Sequence, residues 1–256
     1  MKKIVFIGAG NVATHLSKAL HNAGFYILQI VSRSENFAKI LAGNFNTCYT
    51  TDISKIIPDA DFYFLCVNDA SIETVAQQIK LNNPLLIHTS GSVDINVLSQ
   101  YSENVGVFYP LQTFSKTKEV NIKEIPICIE ANTSQNFLAL KELAESISTR
   151  IYEINSLQRR YLHLAAVFAN NFSNLMFTVA EDLLLQHNVP FELIKPLILE
   201  TASKATTISP SLAQTGPAVR NDQSTINKHL EMLKDNPQIL EIYKLLTDKI
   251  ILRNKK

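Results

Sequence analysis

Residues 4–13 have the sequence IVFIGAGNVA, which joins a run of buried-strand residues to a glycine-rich turn. Gly8, Gly10 and Ala13 stand at the Gly-x-Gly-x-x-Ala spacing, and apolar residues then recur at helical spacing up to Gly24. A strand, a tight turn and a helix in this order are the context in which the spacing predicts a dinucleotide site. The helix N-terminus offers free N–H groups to a diphosphate, and the glycines let the backbone approach it. A turn that uses its glycines only to reverse the chain is the structural alternative.

Composition excludes several classes of function. The chain has 256 residues and a formal net charge of +1, so it offers no basic field to nucleic acid or to an anionic membrane. Cys48, Cys66 and Cys128 are odd in number and widely spaced. They predict reduced thiols in a cytoplasmic protein, with neither disulfides nor a metal site. The apolar run behind Met1 is too short for a secretory signal peptide.

One uncharged span raises the question of a membrane helix. Tyr161 to Ala180 contains no Asp, Glu, Lys or Arg and has about the length of a transmembrane helix. Its histidine and its three asparagines would each be costly in hydrocarbon. We therefore expect a helix that is buried within protein, and no membrane partner.

Strands and helices alternate through the first 154 residues. This alternation predicts an α/β fold with a doubly wound parallel sheet. The predicted strands are Ile4–Ile7, Ile27–Val31, Thr47–Tyr49, Phe62–Val67, Leu85–His88, Val105–Tyr109, Ile127–Glu130 and Arg150–Ile154. We expect a dinucleotide-binding domain over residues 1–154 and an all-α domain over residues 155–256.

The pattern of the second half is helical. One long helix is predicted from about Ser156 until Pro190 ends the region. A second helix is expected over Phe191–Thr206 with a perturbation at Pro196, and a loop over Ser209–Asp222. Two further helices are predicted at Gln223–Lys234 and Pro237–Leu252.

Polar clusters follow four of the predicted strands, at residues 32–34, 68–69, 89–91 and 109–113. In a parallel sheet the carboxyl ends of the strands form one edge, and ligands bind beyond that edge. Each cluster alone is compatible with a plain turn. Together they predict a ligand site along this edge.

The cluster after the second strand indicates which dinucleotide is bound. Ser32, Arg33 and Ser34 occupy the place where an NAD site carries a carboxylate for the ribose hydroxyls. A guanidinium between two hydroxyls suits a phosphate dianion, which favours NADP(H). A solvated loop arginine, or an NAD site in which Arg33 stacks on the adenine, is the alternative, and Glu35 lies close enough to support it.

A polar stripe runs along the long helix. At 100° per residue, His163, Asn170 and Asn174 lie within about 40° of one another. A solvent-facing stripe would more often use Lys, Glu or Gln, because Asn is a poor helix former. We expect the stripe to face a ligand or another part of the protein, with a structural hydrogen-bonded network as the alternative.

These motifs resemble known reductases. The first half is similar to pyrroline-5-carboxylate reductase, coenzyme-F420-linked NADP oxidoreductases and the 6-phosphogluconate and 3-hydroxyisobutyrate dehydrogenases. Nearly the whole chain resembles one bacterial family of Rossmann-like NADP oxidoreductases whose helical C-terminal domain has no assigned function. The segments that carry this resemblance are HTSGS (88–92), YPLQTF (109–114), YLHLAAVFANN (161–171) and TGPAVRND (215–222).

The resemblance implies a homodimer formed through the helical domain, and the chain departs from the related patterns at two positions. The hydroxyisobutyrate-type enzymes place a catalytic lysine where this chain has Val167, so that His163 is the nearest substitute. The family pattern has a histidine before Pro-Leu where this chain has Tyr109.

We therefore expect an NADP(H)-dependent oxidoreductase that transfers a hydride to or from a small carbonyl, imine or alcohol carbon, between the sheet edge and the long helix. A non-catalytic NADP(H)-binding sensor or scaffold is the alternative. The expected catalytic residues are His163, as acid or base, and Asn170. The expected cofactor-binding residues are Gly8, Ala9, Gly10, Asn11, Val12, Ser32, Arg33, Ser34, Val67, Asn68, Asp69, Thr89 and Ser90, and the expected substrate-binding residues are Tyr109, Gln112, Asn171 and Asn174.

Overall fold

The stretch that opens the chain forms a central strand of an eight-stranded sheet. The structure is a computed structural model that describes residues 1–115, 118 and 120–254. Within these residues the strand order is β3-β2-β1-β4-β5-β6-β7-β8. The strands are β1 Lys3–Ile7, β2 Tyr26–Val31, β3 Cys48–Thr50, β4 Phe62–Leu65, β5 Leu85–His88, β6 Asn104–Pro110, β7 Ile127–Ala131 and β8 Ile151–Glu153. All eight predicted strands are confirmed, with bounds that differ by at most two residues.

One pair of strands corrects the expectation of a wholly parallel sheet. Strands β6 and β7 are antiparallel, with Pro110 opposite Ile127, whereas β7 and β8 are parallel to each other. The connection returns to the edge from which it leaves, since the Leu111 N–H donates to the Pro126 carbonyl. An antiparallel pair such as β6 and β7 can be joined without a helical crossover, which a parallel pair requires. The carboxyl ends of β7 and β8 therefore lie at the opposite edge from those of β1 to β6.

Ten α-helices accompany these strands in the described residues. They are α1 Asn11–Asn22, α2 Glu35–Gly43, α3 Ile72–Gln78, α4 Ser134–Glu145, α5 Ser156–Ala166, α6 Ser173–Gln186, α7 Lys195–Thr207, α8 Pro210–Ala213, α9 Gln223–Met232 and α10 Pro237–Asn254. Four of these helices begin at an N-cap residue whose side-chain oxygen accepts a hydrogen bond from a backbone N–H of the first turn. These caps are Ser34 for α2, Thr133 for α4, Asn155 for α5 and Asp222 for α9.

Both faces of the sheet are covered, which confirms the doubly wound architecture. Ile4 and Phe6 point into one buried apolar cluster, which also contains residues of α1, α2 and α4. Val5 and Ile7 point into a second cluster, which contains residues of α3. The alternation follows from the two-residue period of a strand, and burial on both faces explains why β1 is continuously apolar.

The long helix of the second half is not regular. Residues Val167–Phe172 form a π-helical segment between α5 and α6. A π turn contains an additional residue, so the 100° spacing that aligned His163 with Asn170 and Asn174 does not hold through this segment. Sequence periodicity could not reveal the segment, because apolar residues continue on both sides of it.

The helices around Pro196 also differ from the expectation. Phe191–Ile194 form a 3₁₀ turn, and α7 starts at Lys195 with Pro196 in its first turn. Proline therefore begins a helix here, where it costs no hydrogen bond, and does not distort a continuing one. The expected loop over Ser209–Asp222 contains the short helix α8.

The chain divides into two compact units, Met1–Phe168 and Ala169–Lys256. The domain boundary predicted between residues 154 and 155 stays a prediction, and the last two residues of the predicted second domain lie outside the described residues. No helix of the described residues combines the length and the apolar character that crossing a bilayer requires.

Candidate functional site

The turn between β1 and α1 is open to a ligand on one side and closed on the other. Gly8 has φ +117°, and a Cβ there would lie 2.1 Å from the Cys66 carbonyl oxygen, so only glycine fits. Gly10 precedes α1 without any side-chain cap, and a Cβ there would meet nothing within 4 Å. The first N–H groups of α1 thus face open space, which is the arrangement that binds phosphate.

A cavity of about 850 Å³ lies at this turn, beyond the carboxyl ends of β1, β2 and β4. Its volume is within the range of about 300–1,000 Å³ that is usual for cofactor sites. Nine of the predicted cofactor-binding residues line it, namely Gly8, Ala9, Gly10, Asn11, Ser32, Arg33, Ser34, Val67 and Asn68. The residues that follow β1, β2 and β4 are separate in sequence, and the structure brings them together because these strands are neighbours in the sheet.

Four other predicted cofactor residues do not line this cavity. Val12 packs against the core cluster, and Thr89 and Ser90 are buried. Asp69 accepts a hydrogen bond from the Ser92 hydroxyl. Their assignment to the cofactor stays a prediction.

The cavity also contains residues that sequence reasoning missed. Ser71, Thr74 and Gln78 line it from the start and body of α3, and Thr51 and Phe37 line it beside Arg33. The spacing of three and four residues between Ser71, Thr74 and Gln78 places them on one helix face. That periodicity was available in the sequence, but nothing local indicated which face of the helix meets the ligand.

The part of the cavity that follows β2 carries one exposed cation. Arg33 is exposed and has no ion-pair partner within the described residues. The Ser34 side chain accepts a bond from the Phe37 N–H, and the Ser34 N–H donates to the Ser32 hydroxyl at 3.4 Å. Glu35, which supported an NAD site, accepts a bond from the Tyr49 hydroxyl at 3.5 Å. The arrangement suits a phosphate group near Arg33.

Tyr109 and His163, far apart in sequence, form a hydrogen bond. The Tyr109 hydroxyl and His163 Nδ1 are 3.1 Å apart, and the two rings meet edge to face. Burial raises the pKa of Tyr109 to about 12, so the phenol keeps its proton at neutral pH. The pair therefore offers a phenol and an imidazole at the carboxyl end of β6.

Gly91 lies directly against this pair. A Cβ there would come within 2.7 Å of His163 Nδ1 and 2.8 Å of Tyr109 Cζ. Ser92, the next residue, donates to Asp69, which follows the cavity residue Asn68. A continuous set of contacts therefore connects the cavity at the β1–α1 turn with the Tyr109–His163 pair inside the first unit.

His88 is the buried neighbour of this loop. Its Nδ1 accepts a bond from the Ser90 N–H at 3.2 Å, and its Nε2 is buried without a partner within the described residues. Burial, together with the positive charge of Arg159, lowers the pKa of His88 to about 3. His88 is therefore a neutral structural residue at physiological pH, whereas the sequence did not separate it from the polar cluster that follows it.

The remaining predicted residues are exposed. Gln112 accepts a bond from the Thr113 N–H at 2.8 Å. Asn170, Asn171 and Asn174 are exposed residues of the second unit. Their roles stay predictions. No group of His, Cys, Asp or Glu side chains in the described part of the chain is arranged to hold a metal ion.

A segment after β6 contacts the start of α1. The Asn11 side-chain amide donates to the Phe114 carbonyl oxygen at 2.8 Å. His15 stacks on the Phe114 ring, and its Nε2 lies 2.8 Å from the Ser115 carbonyl oxygen. These contacts hold the side chain of Asn11, which lines the cavity.

Comparison with known proteins gives two family matches. Residues 3–91 match a family described as NADP oxidoreductase coenzyme F420-dependent, and residues 125–250 match a domain of unknown function, DUF2520. Among curated proteins, none matches this chain significantly.

Three solved structures are similar over nearly the whole chain. A putative NADP oxidoreductase from Bacteroides fragilis is 44% identical over 98% of both chains, with a TM-score of 0.92. A 1-pyrroline-5-carboxylate reductase from Streptococcus pyogenes is 17% identical over 97% of this chain and 98% of its own, with a TM-score of 0.65. An imine reductase from Myxococcus stipitatus, solved with NADP⁺, is 14% identical over 97% and 91%, with a TM-score of 0.70. The first likeness confirms the predicted family, and the other two show a shared fold.

The pKa of His88 predicts how stability depends on acid. The unfolded chain protonates this residue below about pH 6.5, whereas the folded protein resists protonation until about pH 3. Neutral His88 therefore makes its full contribution to the free energy of unfolding above pH 6.5. This contribution is lost as the pH falls toward 3, at up to about 1.4 kcal/mol per pH unit. In urea denaturation, His88→Gln should show a shallower loss of stability over this range than the wild type. His187→Gln, at an exposed histidine, is the control, and equal slopes for wild type and His88→Gln would contradict the assignment.

Proposed function

The chain belongs to the family of NADP oxidoreductases that includes the Bacteroides fragilis protein, and from that premise we propose that it transfers a hydride between NADP(H) and a small carbonyl, imine or alcohol carbon. The observation that carries the proposal is the Tyr109–His163 pair, connected through Gly91, Ser92 and Asp69 to a cavity suited to a dinucleotide. Such a site combines cofactor binding with a source of protons.

The cofactor site of the proposal follows from the geometry of the cavity. The uncapped start of α1 and the turn at Gly8 and Gly10 hold the diphosphate through backbone N–H groups. Arg33, with Ser32 and Ser34, binds the ribose phosphate that distinguishes NADP(H) from NAD(H). When bound, the nicotinamide supplies or accepts the hydride.

His163 and Tyr109 handle the proton in this proposal. When a carbonyl carbon gains a hydride, its π electron pair moves to the oxygen, which then takes up a proton. The Tyr109 hydroxyl lies 3.1 Å from His163 Nδ1, and the proposal uses the tautomer in which this hydroxyl donates to Nδ1 and the ring proton is on Nε2. As His163 Nε2 gives its proton to the oxygen, or to the nitrogen of an imine, Nδ1 takes the hydroxyl proton of Tyr109, so the ring stays neutral, and water then returns a proton to Tyr109. The same transfers run in reverse when an alcohol is oxidised.

Amide side chains complete the substrate site in the proposal. Asn170 is the proposed second catalytic residue, and Asn171, Asn174 and Gln112 are proposed to bind the substrate. Amides suit this role because each offers both a donor and an acceptor.

The observation that favours a non-catalytic role is Val167, which carries no proton at the place where related dehydrogenases have lysine. A protein of this second kind binds NADP(H) as a sensor or scaffold and turns over no substrate. The histidine experiment below separates the two functions.

The second unit supports the proposal of a homodimer. Several large apolar side chains are exposed on α6, on α7 and beside them, including Leu185, Leu193, Leu197 and Leu199. Several large apolar side chains that stay exposed within one segment of the chain are typical of a surface that another subunit covers. We propose that a second copy of the chain covers this surface. The three free thiols support the proposal of a cytoplasmic location.

The first prediction concerns cofactor choice. Replacing Arg33 by alanine removes the charge-assisted contact to the ribose phosphate and should raise the dissociation constant of NADPH about 10- to 100-fold. Binding of NADH, measured by the same fluorescence titration, should change little. Arg150→Ala is the control because Arg150 lies next to β8, at the other end of the sheet from β2. Equal weakening of NADPH and NADH would contradict a phosphate-binding role.

The second prediction concerns chemistry. His163→Gln should lower kcat about 100-fold with an unchanged dissociation constant for NADPH, since the proton donor is lost and the cofactor contacts remain. The measurement is NADPH oxidation with a panel of small ketones, aldehydes and cyclic imines, with His187→Gln as the control. A wild-type protein that binds NADPH but is inactive with the whole panel would favour the non-catalytic role. An active His163→Gln protein would remove His163 from the mechanism.

The third prediction concerns the exposed apolar surface. Sedimentation velocity of the wild type should give about twice the chain mass of 28.7 kDa. Leu197→Lys should shift the protein toward the monomer because it places a charge in the apolar interface. Gln77→Lys, at an exposed residue of α3 outside this surface, should leave the dimer intact. A monomeric wild type would refute the proposal.

A further inference from the structure

Helix α5 belongs to the first unit, and its most deeply buried side chains are polar. Of its eleven residues, all described by the structure, only Ser156 and Arg159 are buried, and His163 on the same face is half-buried. The large apolar residues Leu157, Tyr161 and Leu164 are more than half exposed. A surface helix normally packs its apolar stripe on the core, so α5 is attached in an unusual way.

Arg159 is the centre of this attachment. Its side chain is fully buried and forms an ion pair with Glu130 of β7. The same guanidinium donates to the Val93 carbonyl oxygen and to the Ser156 hydroxyl. Glu130 also accepts bonds from the N–H and the hydroxyl of Ser156. The guanidinium therefore fastens the first turn of α5 to β7 and to the loop after β5.

That loop also carries the residue that touches the catalytic pair. Val93 stands two residues after Gly91, and the Ser90 hydroxyl holds the loop by accepting bonds from the N–H groups of Ser92 and Val93. Gly91 packs against both His163 and Tyr109. Arg159 thus fixes both sides of one contact, the helix that carries His163 and the loop against which His163 rests.

We propose that Arg159 is a positioning residue that holds His163 in hydrogen-bond contact with Tyr109. The inference rests on the proposed function, because it assigns a purpose to a position of His163 that matters only if this histidine transfers protons. His163 follows Arg159 by four residues and therefore lies one helical turn further on the same face. Hydrogen bonds are directional, so this anchor sets the rotation of α5 about its axis, whereas apolar packing would allow the helix to turn.

The energetics favour positioning over simple stabilisation. A buried ion pair often contributes no more stability than well-packed apolar residues of the same volume. Arg159 Nε is in addition buried without a partner within the described residues, which is itself unfavourable. The buried ion pair of Arg159 therefore adds little to the stability of the fold. Its effect is to hold His163 in one position.

The test reads the state of the His163 ring directly. In ¹⁵N-histidine-labelled protein at neutral pH, the wild-type ring should show one tautomer, because the contact to Tyr109 distinguishes its two nitrogens. In Arg159→Met the same ring should show averaged signals from exchange between both tautomers. The His163→Gln spectrum assigns the resonance, and Arg160→Met is the control because Arg160 is exposed and forms only a surface ion pair with Asp94 at 3.8 Å. An unchanged ring in Arg159→Met would overturn the proposal.

Kinetics provide the second readout. With any substrate that the wild type reduces, Arg159→Met should lower kcat about 10- to 100-fold, with KM and the NADPH dissociation constant unchanged. In a His163→Gln background, Arg159→Met should cause no further loss, because it acts only through His163. A further loss of the same size in that background would indicate a general structural role and overturn the proposal.

Glu130→Gln keeps the experiment decisive if Arg159→Met fails to fold. The carboxamide preserves the shape of Glu130 but removes the ion pair, so the same change in the ring tautomer is expected, and an unchanged ring again overturns the proposal. The spectroscopic readout needs neither substrate nor NADPH. Failure of the proposed function, seen as a lack of turnover with every substrate, is therefore distinguishable from failure of the positioning role.

Discussion

The close approach of Gly8 to the carbonyl group of Cys66 is the constraint on which the site depends. A side chain at Gly8 would occupy the same space as that carbonyl, and its φ of +117° excludes other residues as well. Because β1 and β4 are adjacent in the sheet, the turn after β1 is held against the end of β4. The start of α1 is thereby directed into the cavity without a side-chain cap. Loss of this approach would move the N–H groups at the start of α1 away from their position at the cavity.

Two kinds of interaction organise the first unit. Apolar packing covers both faces of the sheet and supplies the bulk of the stability, without specifying orientation closely. Polar contacts fix the orientation of the loop after β5, of Glu130 in β7 and of the inner face of α5. The Tyr109–His163 pair lies where these contacts converge. The proposed proton transfer requires a precise orientation of these two side chains, because reacting groups must be held at short distances.

The reversed direction of β7 has a consequence for the same site. Glu130, near the carboxyl end of β7, is brought beside the first turn of α5 and there neutralises the buried charge of Arg159. A parallel β7 would place its carboxyl end at the other edge, among the ligand-binding loops. The departure from a wholly parallel sheet is therefore linked to the way in which α5 is held.

The sequence by itself determined the strands, most helices and the glycine turn, since these depend on periodicity and on local backbone preferences. It also identified nine residues of the dinucleotide cavity, because the ends of neighbouring parallel strands must meet. It could not indicate the antiparallel β7, the π-helical segment, the cavity face of α3 or the burial of Arg159. Tyr109 and His163 were each singled out, but their hydrogen bond joins residues 54 positions apart. Only tertiary structure decides such contacts, because they depend on how separate elements pack and not on the order of neighbouring residues.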